Sequence, residues 1–161
     1  MMAIVYNARQ RIAQAKQKLK PRKFAGMSQK ASKEIWNAIL KGVQEGESAV
    51  ALIRKLEKEH EIERAQAALI VRNETSNIRG IAREIQFRET DPLGKGKYTW
   101  QGTPDRRECQ TCKRIAKRCG KGVPLDQLQK IIEEEAGKSY NPKYPWHAHP
   151  SDRCVARRIF S

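Results

Sequence analysis

The chain alternates between stretches whose apolar residues recur every three or four positions and stretches broken by Pro and Gly. In residues 3–20, Ile4, Ala8, Ile12, Ala15 and Leu19 keep helical spacing while Arg and Lys fill the other faces, and Pro21 stops the run. Ser28 is placed to cap a second helix over 28–45, whose stripe is Ile35, Trp36, Ile39, Leu40 and Val43. Gly46 closes that helix, and Ser48 can cap a third with Leu52, Ile53 and Leu56 on one side. The longest periodic run covers 61–88. There Ile62, Ala65, Leu69, Ile78, Ile81, Ala82 and Ile85 fit a helix, with Gly80 as its weak point. Helices with single stripes need one another to bury them, so the middle of the chain reads as a set of packed helices.

The pattern changes at Asp91-Pro-Leu-Gly-Lys-Gly, a loop by its Pro and Gly content. Lys97-Tyr-Thr-Trp-Gln then alternates polar and aromatic residues and predicts a short strand. Pro124-Leu-Asp opens another helix through Ile131 and Ile132 to Gly137, and Glu133, Glu134 and Glu135 end it against the preference of the helix dipole. Pro142, Pro145 and Pro150 make 140–150 an extended loop, and 154–160 reads as a strand. The expected fold class is α+β: a mainly helical N-terminal body with a small C-terminal β module stapled by a Cys/His cluster. The expected organisation is a basic helical arm (1–27), a helical body (28–90) and a Cys/His-containing α+β module (91–161).

Composition sets limits on this picture. A length of 161 residues suits one domain with an appended arm, and 39 % hydrophobic with 6 % aromatic residues predicts a modest core. No apolar run approaches the length of a membrane span. The opening MMAIVYNARQR has neither the long apolar stretch of a secretory signal nor the Ser enrichment of a transit peptide. The net charge of +15 divides unevenly, into +9 for residues 1–33, −1 for 34–90 and +7 for 91–161. Residues 1–33 contain no acid at all. Such an arm suits a polyanion, because each Lys or Arg near a phosphate releases condensed counterions. Arg9, Arg11, Lys16, Lys18, Lys20, Arg22 and Lys23 are the candidate nucleic-acid contacts. With no recognition-helix motif, those contacts would be to phosphates and indifferent to sequence. An acidic protein surface is the alternative partner.

All four cysteines and two of the three histidines fall in the last 53 residues. Cys109-Gln-Thr-Cys112 is followed by Cys119 and then by His147-Ala-His149-Pro-Ser-Asp-Arg-Cys154. A Cys-x-x-Cys turn places two thiolates on one side of a tight knuckle, and a downstream His and Cys complete a tetrahedral set. The candidate ligands are Cys109, Cys112, His149 and Cys154, holding a structural zinc whose binding adds folding energy to an aromatic-poor segment. Disulfide bonding is the alternative in an oxidising compartment. A redox pair at Cys109 and Cys112 would lack the surrounding βαβ pattern such pairs have. Cys119 reads as a simple buried thiol and His60 as a solvated residue. His147 stands as a substitute for His149 or as an exposed loop residue.

The string Tyr98-Thr-Trp-Gln-Gly-Thr-Pro-Asp105-Arg-Arg-Glu-Cys109-Gln-Thr-Cys112, with His149-Pro-Ser-Asp-Arg-Cys154, resembles the phage head morphogenesis family typified by the minor head protein F of phage Mu. Arg72-Asn73-Glu74 sits where that family has Arg-Thr-Glu, and Gly42-Val-Gln-Glu-Gly46-Glu-Ser48-Ala49 resembles its Gly-Ile-x-x-Gly-x-Ser-Ala turn. The resemblance covers roughly residues 28–160. The chain departs from the pattern at Asp152, where the family has a Cys, at Asn73, and in an extra helix between Cys112 and His149. The resemblance implies a bacteriophage minor head protein that docks on the portal or major capsid protein, in several copies per particle. Its place would be the virion, after assembly in the host cytoplasm, with non-specific contact to packaged double-stranded DNA. It implies no catalytic residues. Arg72, Glu74, Trp100, Asp105 and Arg107 are its structural motif residues, with Asp105 and Arg107 as possible partners of Arg72 or Glu74. Two other readings compete: a zinc-containing DNA-binding protein, and an HNH-like metal-dependent nuclease.

Overall fold

The computed structural model describes residues 2–21, 23–102, 108–149 and 154–160, and for residues 2–8 the backbone alone. Six α-helices, a short 3-10 turn and two strands follow in order: α1 (Met2–Lys18), α2 (Gln29–Glu45), α3 (Ala49–His60), α4 (Arg64–Thr90), β1 (Lys97–Gln101), α5 (Gln110–Arg118), α6 (Leu125–Ala136), the turn Gly137–Ser139 and β2 (Val155–Ile159). The fold is α+β, as the sequence predicts. The chain forms two compact units, Met1–Ala82 and Arg83–Ser161, and α4 contributes residues to both.

In the first unit α1 packs on α2, and α2 on α3. The core is the expected stripe of α2, with Ile35, Trp36, Ile39, Leu40 and Val43 all buried, joined by Leu52 and Leu56 of α3. Ser28 and Ser48 cap α2 and α3, accepting the N–H of Ala31 and Ala51 at 3.1 Å each. Between those helices the chain reverses at Gly46. The Glu47 N–H donates to the Gly42 carbonyl at 2.8 Å and the Gly46 N–H to Val43 at 3.3 Å, so α2 closes in a Schellman arrangement. Gly46 sits at φ 79°, left-handed backbone that a Cβ would strain. The Gly-x-x-x-Gly-x-Ser pattern is therefore a helix stop and a helix start packed into seven residues. The segment after α1 is tied down by the Phe24 N–H on Ser32 Oγ (3.0 Å) and by Gln66 Nε2 on the Ala25 carbonyl (3.2 Å).

The face that α4 buries keeps Ile78 and Ile81 of the expected stripe and departs from the rest. Ala65 and Leu69 are exposed, while Ala67, Ile70, Val71, Ile78 and Ile81 are buried together with Glu74, Thr75 and Asn77. The inward face mixes polar with apolar groups, so a search for apolar residues alone finds Ile78 and Ile81 but misses the polar members of that face. Thr75 satisfies its hydroxyl on the Val71 carbonyl at 2.7 Å, the back-bond that lets Thr enter a helix interior.

The second unit is built on an antiparallel β1–β2 ribbon, with Lys97 opposite Ile159 and Gln101 opposite Val155. Both α5 and α6 pack on β1 and on each other. Leu128, Ile131, Ile132 and Ile115 fill the space between them, and Tyr98 lies beneath, its ring 4.7 Å from that of Phe87. Glu134 and Glu135, which end α6 against its dipole, are neutralised from α5: Arg114 bonds Glu135 at 2.7 Å, and Arg118 bonds Glu134 at 2.8 Å and Glu135 at 3.1 Å. The two guanidiniums hold the Glu135 carboxyl below the usual carboxylate range.

Candidate metal centre

The tight knuckle expected of the Cys-x-x-Cys pair is the N-cap and first turn of α5. Cys109 is the N-cap, extended at φ −76° and ψ 159°, and its Sγ accepts the Cys112 N–H at 3.3 Å. The N-cap position explains the spacing, because a residue at the cap and one three positions on share the same side of the first turn. That end of the helix also carries the positive pole of its dipole, which favours thiolates.

His149 completes the group from the loop that precedes β2. Its Nε2 lies 3.2 Å from Cys109 Sγ and 3.6 Å from Cys112 Sγ. The three ligand atoms lie within 4.8 Å of one another, and this is the one such group among the described residues. A tetrahedral zinc with bonds of about 2.3 Å to sulfur and 2.0–2.1 Å to nitrogen holds S and N about 3.6 Å apart, so the spacing fits the ion. Burial pushes the Cys109 thiol above its usual range, further than the Cys112 N–H draws it down. A divalent cation would reverse that balance by coordinating thiolate directly.

The fourth expected ligand, Cys154, is buried just before β2, beyond the pairing of Gln101 with Val155. Its Sγ lies 3.2 Å from where a Cβ on Gly102 would stand, and that Cβ would also overlap the Glu108 carboxylate. Gly102 thus leaves the room in which the side chains of Glu108 and Cys154 both come close to its backbone. No disulfide joins any of the four cysteines. Cys119 is fully buried in a separate role: its thiol donates to the Ile115 carbonyl at 2.9 Å and accepts the Trp100 N–H at 3.2 Å, stitching the end of α5 to β1.

The loop bearing His149 is held by residues that the sequence reading passed over. The indole N–H of Trp146 donates to buried Glu84 Oε2 at 3.0 Å, and Glu84 also accepts from Arg88 at 2.9 Å. Arg88 in turn bonds Asp126 of α6 at 2.8 Å. His147 is buried and stacks on Tyr144 at 5.4 Å, so it is neither the exposed loop residue nor the histidine of the thiol group. An acid on a helix reads as solvated, and only its pairing with a Trp far along the chain reveals Glu84.

Asp91 organises the entry to β1. Its carboxylate accepts the Gly96 N–H at 2.7 Å, the Lys95 N–H at 3.0 Å and the Tyr98 hydroxyl at 3.1 Å. Desolvation raises its pKa, but the Gly96, Tyr98 and Lys95 hydrogen bonds and the charge of Arg158 together hold it below the usual value. A carboxyl held low contributes stability that is present above its unfolded pKa, about 3.9, and is lost as pH falls through the lower folded value. Asp91→Asn is therefore expected to lower the melting temperature at neutral pH and to remove that acid-linked component. Melting curves at pH 7 and about pH 3 check this. Equal pH dependence in both chains would rule out the clasp.

Of the arm residues, Arg9, Lys16, Lys18, Lys20 and Lys23 are exposed, Arg11 is half-buried, and Arg22 lies outside the described residues. Arg72 is exposed and Glu74 is buried, so the two face different surroundings. Trp100 is buried in β1, its indole N–H without a hydrogen-bond partner among the described residues. Asp105 and Arg107 lie outside the described residues.

Fold and site together define a helical chain ending in a β ribbon beside a Cys/His group. The chain belongs to the phage Mu F-like head morphogenesis family: the family described as phage Mu protein F like protein matches residues 33–147. That span holds the helix stop at Gly46, the Arg72–Glu74 element, β1 and both thiols of α5, and it ends before His149 and Cys154. No curated protein and no solved structure matches the chain. No helix is long and apolar enough to cross a membrane among the described residues.

Proposed function

We propose that this protein is a minor head component that docks on the portal or the inner capsid surface during head morphogenesis and stays in the virion in several copies, after assembly in the host cytoplasm. The observation that carries this reading is the family match over residues 33–147. The division of labour follows the arm (1–27), the helical body (28–90) and the module (91–161). The arm supplies Arg9, Arg11, Lys16, Lys18, Lys20, Arg22 and Lys23 to the phosphates of packaged duplex DNA. What supports this is the absence of acids from residues 1–33 and the exposure of most of these bases. Arg72, Glu74, Trp100, Asp105 and Arg107 would be the structural motif residues shared with the family, Glu74 and Trp100 each within its own unit's interior.

In the module, Cys109, Cys112 and His149 would hold a structural zinc, with Cys154 as the fourth ligand. The ion would supply cross-linking of the α5 N-terminus to the loop before β2. The chain's own residues do the rest: the α5 cap orients both thiols, and Glu84 fixes the loop through Trp146.

Co-expression with portal and major capsid proteins tests the docking. The chain is expected to co-sediment with assembled heads or portal rings, and its absence from both would overturn the reading. Incubating the metal-loaded protein with plasmid tests the rival nuclease reading, which predicts cleavage that His149→Ala abolishes. A preference for one duplex sequence near physiological salt would instead mark a DNA-binding regulator.

A further inference from the structure

The ribbon of the second unit has one edge that no other strand covers among the described residues. Tyr98 exchanges both backbone hydrogen bonds with Val123, its N–H donating at 2.8 Å and its carbonyl accepting at 2.9 Å, so its backbone groups point away from β2. Backbone groups alternate sides along a strand, so Lys97, Thr99 and Gln101 bond to β2 through Ile159, Arg157 and Val155. The N–H and C=O of Ala156 and Arg158 therefore point outward, and no group among the described residues bonds them. That edge borders a groove. Gln86, Phe87 and Thr90 of α4 form one wall, and residues 156–158 with Phe160 form the other. Arg157 and Arg158 send their side chains to opposite faces of the ribbon, Arg157 to the Gln101 side chain and Arg158 to the Thr90 carbonyl at 3.1 Å. A groove that touches three consecutive residues of a strand follows its edge and not one face.

An extended peptide can add to such an edge, taking affinity from main-chain hydrogen bonds and specificity from side chains that alternate between the two faces. On the α4 side those side chains would meet Phe87 and Phe160, the latter 84 % exposed. On the other side they would meet exposed Arg157, with Lys97 on the same face and no acid in either strand. Apolar side chains suit the first face and carboxylates the second. A second copy of β2 is a poor occupant, because antiparallel pairing at its middle sets Arg157 and Arg158 beside the same two residues of the other copy. We infer that the outer edge of β2 accepts an extended segment of a partner protein in which acidic and apolar residues alternate. The inference does not depend on the arm, the proposed zinc or the docking reading, since every residue involved lies in the second unit and none is a proposed ligand.

Fluorescence anisotropy of the full chain with a labelled peptide of about ten residues alternating Glu and Val tests this. One comparison peptide has the same composition with Glu and Val in separate blocks. Two more are N-methylated, one at each set of alternate amides. The basic arm treats these equally charged peptides alike, so differences among them read the edge. The block peptide and one of the two N-methylated forms should bind about 10-fold more weakly than the parent peptide, because backbone hydrogen bonds are lost, and the other N-methylated form should bind like it. Arg157→Glu should weaken binding about 5-fold and favour a peptide alternating Lys and Val instead. Arg157 is exposed, so this variant should melt like the parent chain. Equal binding of all the Glu/Val peptides would overturn the inference in favour of charge alone. No binding of the alternating peptide would also overturn it, leaving the arginines as guards that keep the edge unpaired. A dimer in sedimentation that excludes the peptide would overturn it in favour of a second copy.

Discussion

Removing the proposed zinc with a chelator is expected to loosen the second unit while leaving the helical core of the first intact. Structural zinc sites contribute folding energy directly, and the loop from Tyr140 to His149 meets the α5 cap through His149 against Cys109 and Cys112. The tryptophans separate the two responses. Trp100 and Trp146 are buried in the second unit, and Trp36 is buried in the first. Chelation should shift the emission of the first two to the red and leave that of Trp36, read in a chain with Trp100 and Trp146 changed to Phe. Cys112→Ser should lose the metal and more than about 4 kcal/mol of stability, the range reserved for loss of a structural site. Cys119→Ala should keep its full metal content, because that thiol serves β1 and not the cluster. A purified chain without zinc, whose Cys112→Ser variant melts like the parent, would refute the metal centre.

Trp36→Ala should be the most damaging single change in the first unit. The indole is 2 % exposed in the middle of the α2 stripe, between Ile35 and Ile39, which are also buried. Truncating a buried aromatic removes its transfer energy and leaves a cavity, together about 3–5 kcal/mol. Against a total stability of about 5–15 kcal/mol for a domain, that leaves little margin. Urea titration followed by far-ultraviolet circular dichroism should show a lower midpoint with an unchanged slope. A loss under about 1 kcal/mol would mean that α2 does not centre the core.

How much was readable from the sequence depended on whether the physical signal was local. The α2 and α3 helices were legible because Ser28, Gly46 and Ser48 punctuate clean stripes. The ribbon was legible from the alternation in residues 97–101. The α4 face was read in part: Ile78 and Ile81 go inward as expected, Ala65 and Leu69 do not, and Glu74, Thr75 and Asn77 go inward alongside the apolar residues. The α5 helix went unread because its sequence was taken for a metal knuckle, although Cys109 is its N-cap as well as a member of the Cys/His group. The grouping of Cys109 and Cys112 with His149 followed from ligand spacing. The anchors of that histidine, Glu84 and Trp146, are 62 positions apart, and nothing in either neighbourhood announces the pair.

The clasp between α5 and α6 binds two stretches of sequence to a shared inheritance. Glu134 and Glu135 crowd like charge at the end of a helix that disfavours it, and Arg114 and Arg118 make that tolerable. Losing either arginine leaves carboxylates repelling each other, while exchanging all four charges restores the attraction and moves the misfit to the end of α5. Among relatives that keep both helices, positions 114 and 118 should therefore change sign only in company with 134 and 135. Their drift would then be coupled across about twenty residues, even though each position alone looks like an ordinary surface charge.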